Sequence, residues 1–138
     1  MVSFDKRKLN IFILLGAWVV DQGGKFGHFI DGSFTKAGDG FDTKNPATGN
    51  VLATISQATQ ADVNLAVSAA RKAQPKWAAL GGHGRARILY AIARLLQKHS
   101  RLFAVLETLD NGKPIRQSRD LDIPLAQPHF YYHAGMAQ

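Results

Sequence analysis

A chain of 138 residues has room for one domain or part of one, and its 46% hydrophobic content excludes a disordered tail. Seventeen Lys and Arg against ten Asp and Glu leave a net charge of +7. The absence of cysteine excludes disulfides, thiolate zinc sites and thiol nucleophiles together.

Lys6-Arg7-Lys8 and the apolar run at residues 9–20 mimic the first two regions of a signal peptide. The run is too short to span a bilayer, and Asp21-Gln22-Gly23-Gly24 offers no small-residue cleavage site. A buried helix or strand ended by the glycine pair is the preferred reading, so residues 1–24 are taken as an extension.

Residues 25–55 are β-territory. Phe26, His28 and Ile30 alternate up to Asp31-Gly32, a strong hairpin signal, with residues 33–36 as the return strand. Gly38-Asp39-Gly40 reads as a loop, and Asn45-Pro46-Ala47-Thr48-Gly49-Asn50 as a turn made of breakers. Residues 51–55 form a short strand candidate. No glycine pattern here matches a nucleotide fingerprint.

A helix starts after Thr59, whose hydroxyl is placed to cap the N–H of Asp62. Val63, Ala66, Val67 and Ala70 give it a small-residue stripe. Pro75 is expected to end it and Trp77 to dock on the core. Gly81-Gly82-His83-Gly84 reads as a turn, with Arg85 and Arg87 solvated.

Residues 85–114 organise the rest. Ile88, Leu89, Ile92, Leu95 and Leu96, then Leu102, Phe103, Leu106 and Leu109, repeat at helical spacing. One long helix fits this pattern, as do two joined near Ser100. The other face carries Arg87, Arg94, Lys98 and Arg101, and Asp110-Asn111-Gly112-Lys113-Pro114 stops it with a left-handed glycine and a proline. No acid lies between Asp62 and Glu107, where eight Lys and Arg fall. Such a stretch suits phosphates, but it is more often a solvated or paired face.

A last helix begins at Asp122-Ile123-Pro124, with Leu125, His129, Tyr132 and Met136 on one face and a distortion expected at Pro128. Asp120 and Asp122 read as capping residues. His129 and His133 have the four-residue spacing of metal ligands, but lack a nearby third ligand and read as packing histidines. No catalytic constellation is found.

In this order the segments resemble the N-terminal region of the aldehyde dehydrogenase superfamily. The resemblance rests on Gly27-His28-Phe29-Ile30-Asp31-Gly32, Asn45-Pro46-Ala47-Thr48-Gly49, Ala61-Asp62-Val63, Ala69-Ala70-Arg71-Lys72-Ala73 with Trp77, and Arg85-Ala86-Arg87-Ile88-Leu89. It continues through Leu106-Glu107-Thr108-Leu109-Asp110-Asn111-Gly112-Lys113-Pro114, the most specific block, then Asp122-Ile123-Pro124-Leu125-Ala126 and Phe130-Tyr131-Tyr132-His133-Ala134-Gly135. It covers residues 17–138. The tail also resembles the divergent family whose animal members carry two dehydrogenase-like halves.

The resemblance implies an α/β fold: the N-terminal portion of a Rossmann-like cofactor domain over residues 25–138, with a small β-hairpin region followed by three helices. It implies a fragment of an enzyme that oxidises an aldehyde to an acid with NAD or NADP. There a cysteine thiolate attacks the aldehyde, hydride passes to the nicotinamide, and a glutamate activates water. Those parts lie beyond residue 138 in the family, so the chain alone is expected to bind no cofactor and to turn nothing over. A homo-oligomer, a cytoplasmic setting without membrane contact, and no nucleic-acid partner follow from the same resemblance. It also implies a monovalent cation held by carbonyl oxygens at Thr43 and Lys44 and by Asp110, oxygen ligands suited to a hard ion. Lys44 departs from the family's usual apolar residue, and Asp110 capping a turn beside Asn111-Gly112 is an equal alternative. A fragment of this kind is expected to expose apolar residues Val63, Val67, Ile92 and Leu96. The alternative, an independent basic module binding nucleic acid or acidic surfaces, would use Arg85, Arg87, Arg94, Lys98 and Arg101.

Overall fold

The computed structural model describes residues 23–138; the apolar run at residues 9–20 lies outside them. Strand β1 (Lys25–Phe26) enters a three-stranded sheet. Strands β2 (Phe29–Ile30) and β3 (Ser33–Phe34) form a separate hairpin, and β4 (Gly40–Lys44) and β5 (Val51–Ser56) complete the sheet in the order β1-β5-β4. β1 runs parallel to β5 with Lys25 opposite Thr54, whereas β4 runs antiparallel, from Gly40 opposite Ser56 to Lys44 opposite Val51.

The hairpin turn is as the sequence indicates. Asp31 at φ 52° and Gly32 at φ 84° give the two left-handed residues that match strand twist. Phe29 and Phe34, paired across it, meet edge to face at 5.1 Å. The strand expected over Phe26, His28 and Ile30 is broken in two. At Gly27 a Cβ would lie 2.1 Å from the Thr35 carbonyl oxygen, and this backbone approach carries the chain out of the sheet. β4 occupies residues that the sequence left unassigned, and Gly40 opens it rather than closing a loop. A Cβ at Gly40 would sit 2.0 Å from the Ile55 carbonyl oxygen, so only glycine fits this edge.

Helix α1 (Gln60–Ala79) is capped by Thr59, with the reciprocal bond from Asp62 completing a capping box. It does not end at Pro75 but runs through it. Proline removes one amide donor, and Arg71, whose carbonyl loses that partner, is exposed to water. Trp77 is 40% exposed rather than docked. Helix α2 (Gly81–Lys98) follows after Leu80 alone. Gly81, at φ 66°, makes the turn; Gly82, His83 and Gly84 belong to the helix rather than to a loop.

The organising stretch is two helices. α2 stops at His99, and α3 (Ser100–Asn111) ends at Gly112 in the left-handed region, as its sequence requires. A short turn α4 (Ile115–Gln117) leads through a π-helical turn at Ser118–Asp122 into α5 (Ile123–Met136). There are thus four longer helices, three if the stretch joined near Ser100 is counted as one. Pro124 lies in the first turn of α5 and Pro128 lies inside the helix.

The buried centre is small-residue packing. Ala86 and Ala93 of α2, Ala104 and Val105 of α3, and Ala134 of α5 are at most 2% exposed. Each buried methyl contributes on the order of 0.8 kcal/mol, and the alanines let α2 lie close along α5. At Gly82 a Cβ would come within 2.3 Å of the Ala137 carbonyl oxygen. The apolar stripe of α2 faces this centre off-axis: Ile92 and Leu96 are half-buried, and the exposed members are Ile88 and Leu95. Of the four apolar residues expected to be exposed, Val63 and Val67 are, whereas Ile92 and Leu96 are half-buried against the centre. The face Leu125, His129, Tyr132 and Met136 points to solvent, because Ala134 occupies the inner side of α5.

Candidate functional site

Thr43 and Asp110, 67 residues apart, are brought together where β4 ends and α3 ends. The Thr43 hydroxyl donates to Asp110 Oδ1. A β-bulge falls between Thr43 and Lys44, the irregularity at which a ladder leaves backbone groups unpaired. The following turn is built by Asn45. Its carbonyl accepts from Thr48 at 3.2 Å and Gly49 at 2.8 Å, and its Oδ1 accepts from the Ala47 amide at 2.9 Å. Pro46 of this turn rests on the α3 terminus: a Cβ at Gly112 would lie 3.1 Å from Pro46 Cβ. Asn111 donates to Glu107 at 3.1 Å, which steadies the last turn of α3. The cluster thus sets the Asp110 carboxylate against Thr43 at the point where the β4–β5 register shifts, and all its candidate ligand atoms are oxygens, which suit a hard cation. The Lys44 side chain is exposed.

Asp120 and Asp122 are used structurally. Asp120 pairs with Arg119 at 2.6 and 2.7 Å, and that hydrogen bond holds its carboxyl below the ordinary value. Asp122 does not cap α5; Lys113 Nζ lies 2.6 Å from its Oδ2, tying the segment after α3 to the π-helical turn. Sequence reasoning missed this pair, because Lys113 lies outside any helix and Pro114 separates it from the helical segment that carries Asp122. It also missed Thr108 donating to the fully buried Ser118 at 3.2 Å. Among the described residues no group of three or more His, Asp or Glu is arranged to hold a metal ion. His129 and His133, expected to pack, are both exposed. The ring of His133 meets Tyr132 edge-on at 5.2 Å.

A second polar cluster lies at the start of α1. Asp62 Oδ2 accepts from the Thr59 amide at 2.8 Å and from the Thr59 hydroxyl at 2.6 Å. These bonds, the hydroxyl first, hold the Asp62 carboxyl below its ordinary value, with His28 adding a smaller attraction. His28 Nε2 lies 4.0 Å away. A hollow of about 420 Å³ beside them is lined by His28, Thr35, Lys36, Asp39, Thr59 and Asp62, among others.

No helix among the described residues is long and apolar enough to cross a membrane. The aldehyde dehydrogenase family model matches residues 34–138. The chain belongs to that family, and its mixed α/β structure is the N-terminal portion of the family's cofactor domain. It is 49% identical over 111 residues to DhaS of Bacillus subtilis, named as an aldehyde dehydrogenase, covering 78% of this chain and 22% of that one. It is 41% identical over 115 residues to a betaine aldehyde dehydrogenase of Rhizobium leguminosarum, covering 82% and 24%. An NAD+ complex of an aldehyde dehydrogenase from Bacillus cereus superposes with a TM-score of 0.77 at 40% identity, over 80% of this chain and 23% of that structure. The chain therefore spans less than a quarter of the length of these relatives.

Proposed function

We propose that residues 25–138 supply the first part of the cofactor domain of an NAD(P)-dependent aldehyde dehydrogenase. In the complete protein this domain serves the oxidation of an aldehyde to a carboxylic acid, in a cytoplasmic homo-oligomer. The observation that carries the reading is the collinear match over residues 34–138 together with the superposition on an NAD+-bound relative at 40% identity. The 138 residues contain no cysteine, so none of their side chains is assigned the attacking thiolate. The chain's own contribution is architectural: α2, α3 and α5 form a packed wall. The apolar residues Val63, Val67, Leu125 and Met136 remain open for further segments to cover.

The test is a chimera in which this chain replaces the matching quarter of the Bacillus cereus relative. NADH formation from propanal is expected from the chimera and not from the chain alone. A chimera that folds and binds NAD+ but oxidises no aldehyde overturns the reading. So does NAD-dependent turnover by the pure chain.

The same reading proposes a monovalent cation held by Asp110 and by the backbone carbonyl oxygens of Thr43 and Lys44. The contact between Thr43 and Asp110 supports it. Potassium or sodium chloride is expected to raise the melting midpoint above that in tetramethylammonium chloride, and Asp110→Ala to remove the difference. Equal midpoints in all three salts would leave Asp110 as a turn cap.

A further inference from the structure

We propose that His28 and Asp62 form a proton-operated latch that fastens helix α1 to the β-hairpin segment. α1 buries no residue, and its principal contacts are with β2 and α2. A helix held this lightly is sensitive to a single polar contact at its end. Both halves of the latch are fixed in place. Asp62 is anchored by the two Thr59 bonds at 2.8 and 2.6 Å. The His28 backbone is clasped by Thr35: the His28 amide donates to Thr35 Oγ1 at 2.9 Å, and the Thr35 amide donates to the His28 carbonyl at 2.7 Å. The imidazole and carboxylate are thereby set 4.0 Å apart, with side chains 24% and 32% exposed.

The other charged groups facing this hollow are Lys36 and Asp39, of opposite sign, both from the segment between β3 and β4. Asp62 is the group of this hollow whose carboxylate lies within 4.0 Å of the imidazole. Asp62 is ionised throughout the neutral and mildly acidic range, because its carboxyl is held below 3.8. An imidazole ordinarily gains its proton near pH 6.5. When protonated, the imidazole faces the carboxylate as a cation, and the hairpin segment is drawn onto the first turn of α1. The pair is partly wet, so the expected gain in closed over open α1 is about threefold.

Hydrogen exchange of the full 138-residue chain tests this. Rates at pH 7.5 and 5.5 are divided by their intrinsic values, and protection of residues 63–67 is taken relative to the segment around Ala93. Residues 63–67 are chosen because His83 adjoins the other end of α1. The relative protection is expected to rise about threefold at pH 5.5, to be independent of pH in His28→Gln, and to lose its pH dependence in 1 M NaCl. An unchanged ratio in the parent chain overturns the proposal, as does the same rise in His28→Gln. A rise undiminished in 1 M NaCl also overturns it, and that arm needs no variant.

Discussion

Two glycines with nearly the same backbone allow the contact between the Asn45 turn and the end of α3 to be weighed. Gly112 has φ 74° and Gly49 φ 72°, so alanine at either must enter the left-handed region, at a cost of about 1 kcal/mol. Their surroundings differ. A Cβ at Gly49 meets nothing within 4 Å, whereas one at Gly112 meets Pro46 Cβ at 3.1 Å and Cγ at 3.2 Å. Those contacts are a few tenths of an ångström too close, and moving the proline ring costs about 1 kcal/mol more. Gly49→Ala is therefore expected to cost about 1 kcal/mol and Gly112→Ala about 2 kcal/mol. Urea unfolding followed by far-ultraviolet circular dichroism measures both. With a slope of about 1.5 kcal/mol per molar, the midpoints fall by about 0.7 M and about 1.3 M. Equal losses would show that Pro46 does not rest on Gly112. No loss in either variant would refute the left-handed assignments altogether.

Thr59→Ala is expected to cost about 1 kcal/mol by removing the cap of α1. It should also flatten the acid limb of stability. The lowered Asp62 carboxyl contributes fully above pH 3.8 and loses its contribution as pH falls through its folded value; melts between pH 2 and 5 read this. Ala93→Leu, at a site with 0% exposure, is expected to cost about 1–3 kcal/mol by overpacking α2 against α5. Leu125→Ser, at 56% exposure, should stay within about 0.5 kcal/mol of the parent chain in the same assay. A double-mutant cycle with Lys113→Met and Asp122→Asn should give a coupling of about 1 kcal/mol or less, since both side chains keep roughly a third of their surface in water. Strictly additive losses would remove that ion pair from the account of the π-helical turn.

The punctuation of the chain was legible wherever the physics is local. Asp31-Gly32 and Gly112 demand positive φ, and Thr59 with Asp62 forms a box within four residues, so each can be read without knowing what lies across the molecule. Tertiary context decided the rest. Pro75 stays in α1 because the carbonyl it orphans can turn to water. Phe26 and Phe29 part company because one pairs with β5 and the other with β3. Side-chain size does not reveal which side of α5 is buried. Leu125, Tyr132 and Met136 are the larger side chains, but the close approach of α2 selects Ala134 for the inside. At the cation cluster, Thr43 and Asp110 were named together through a family resemblance. Nothing in their local sequence joins them across 67 positions. The Lys113–Asp122 pair was invisible because it joins a residue outside the helices to one beyond Pro114, with no periodicity linking them.

The alanine-built centre has a calorimetric consequence. Unfolding raises heat capacity in proportion to the apolar surface that it newly wets. Among the described residues the buried apolar side chains are alanines and a single valine, while Phe29, Phe34, Leu125, Tyr132 and Met136 are already more than half wet in the folded state. Little apolar hydration is left to gain when the chain opens. Its heat-capacity increment should fall well below the ~12–15 cal/mol/K per residue of ordinary globular domains, and its stability curve should be correspondingly flat, with a broad melt and a cold-denaturation limb displaced to lower temperature.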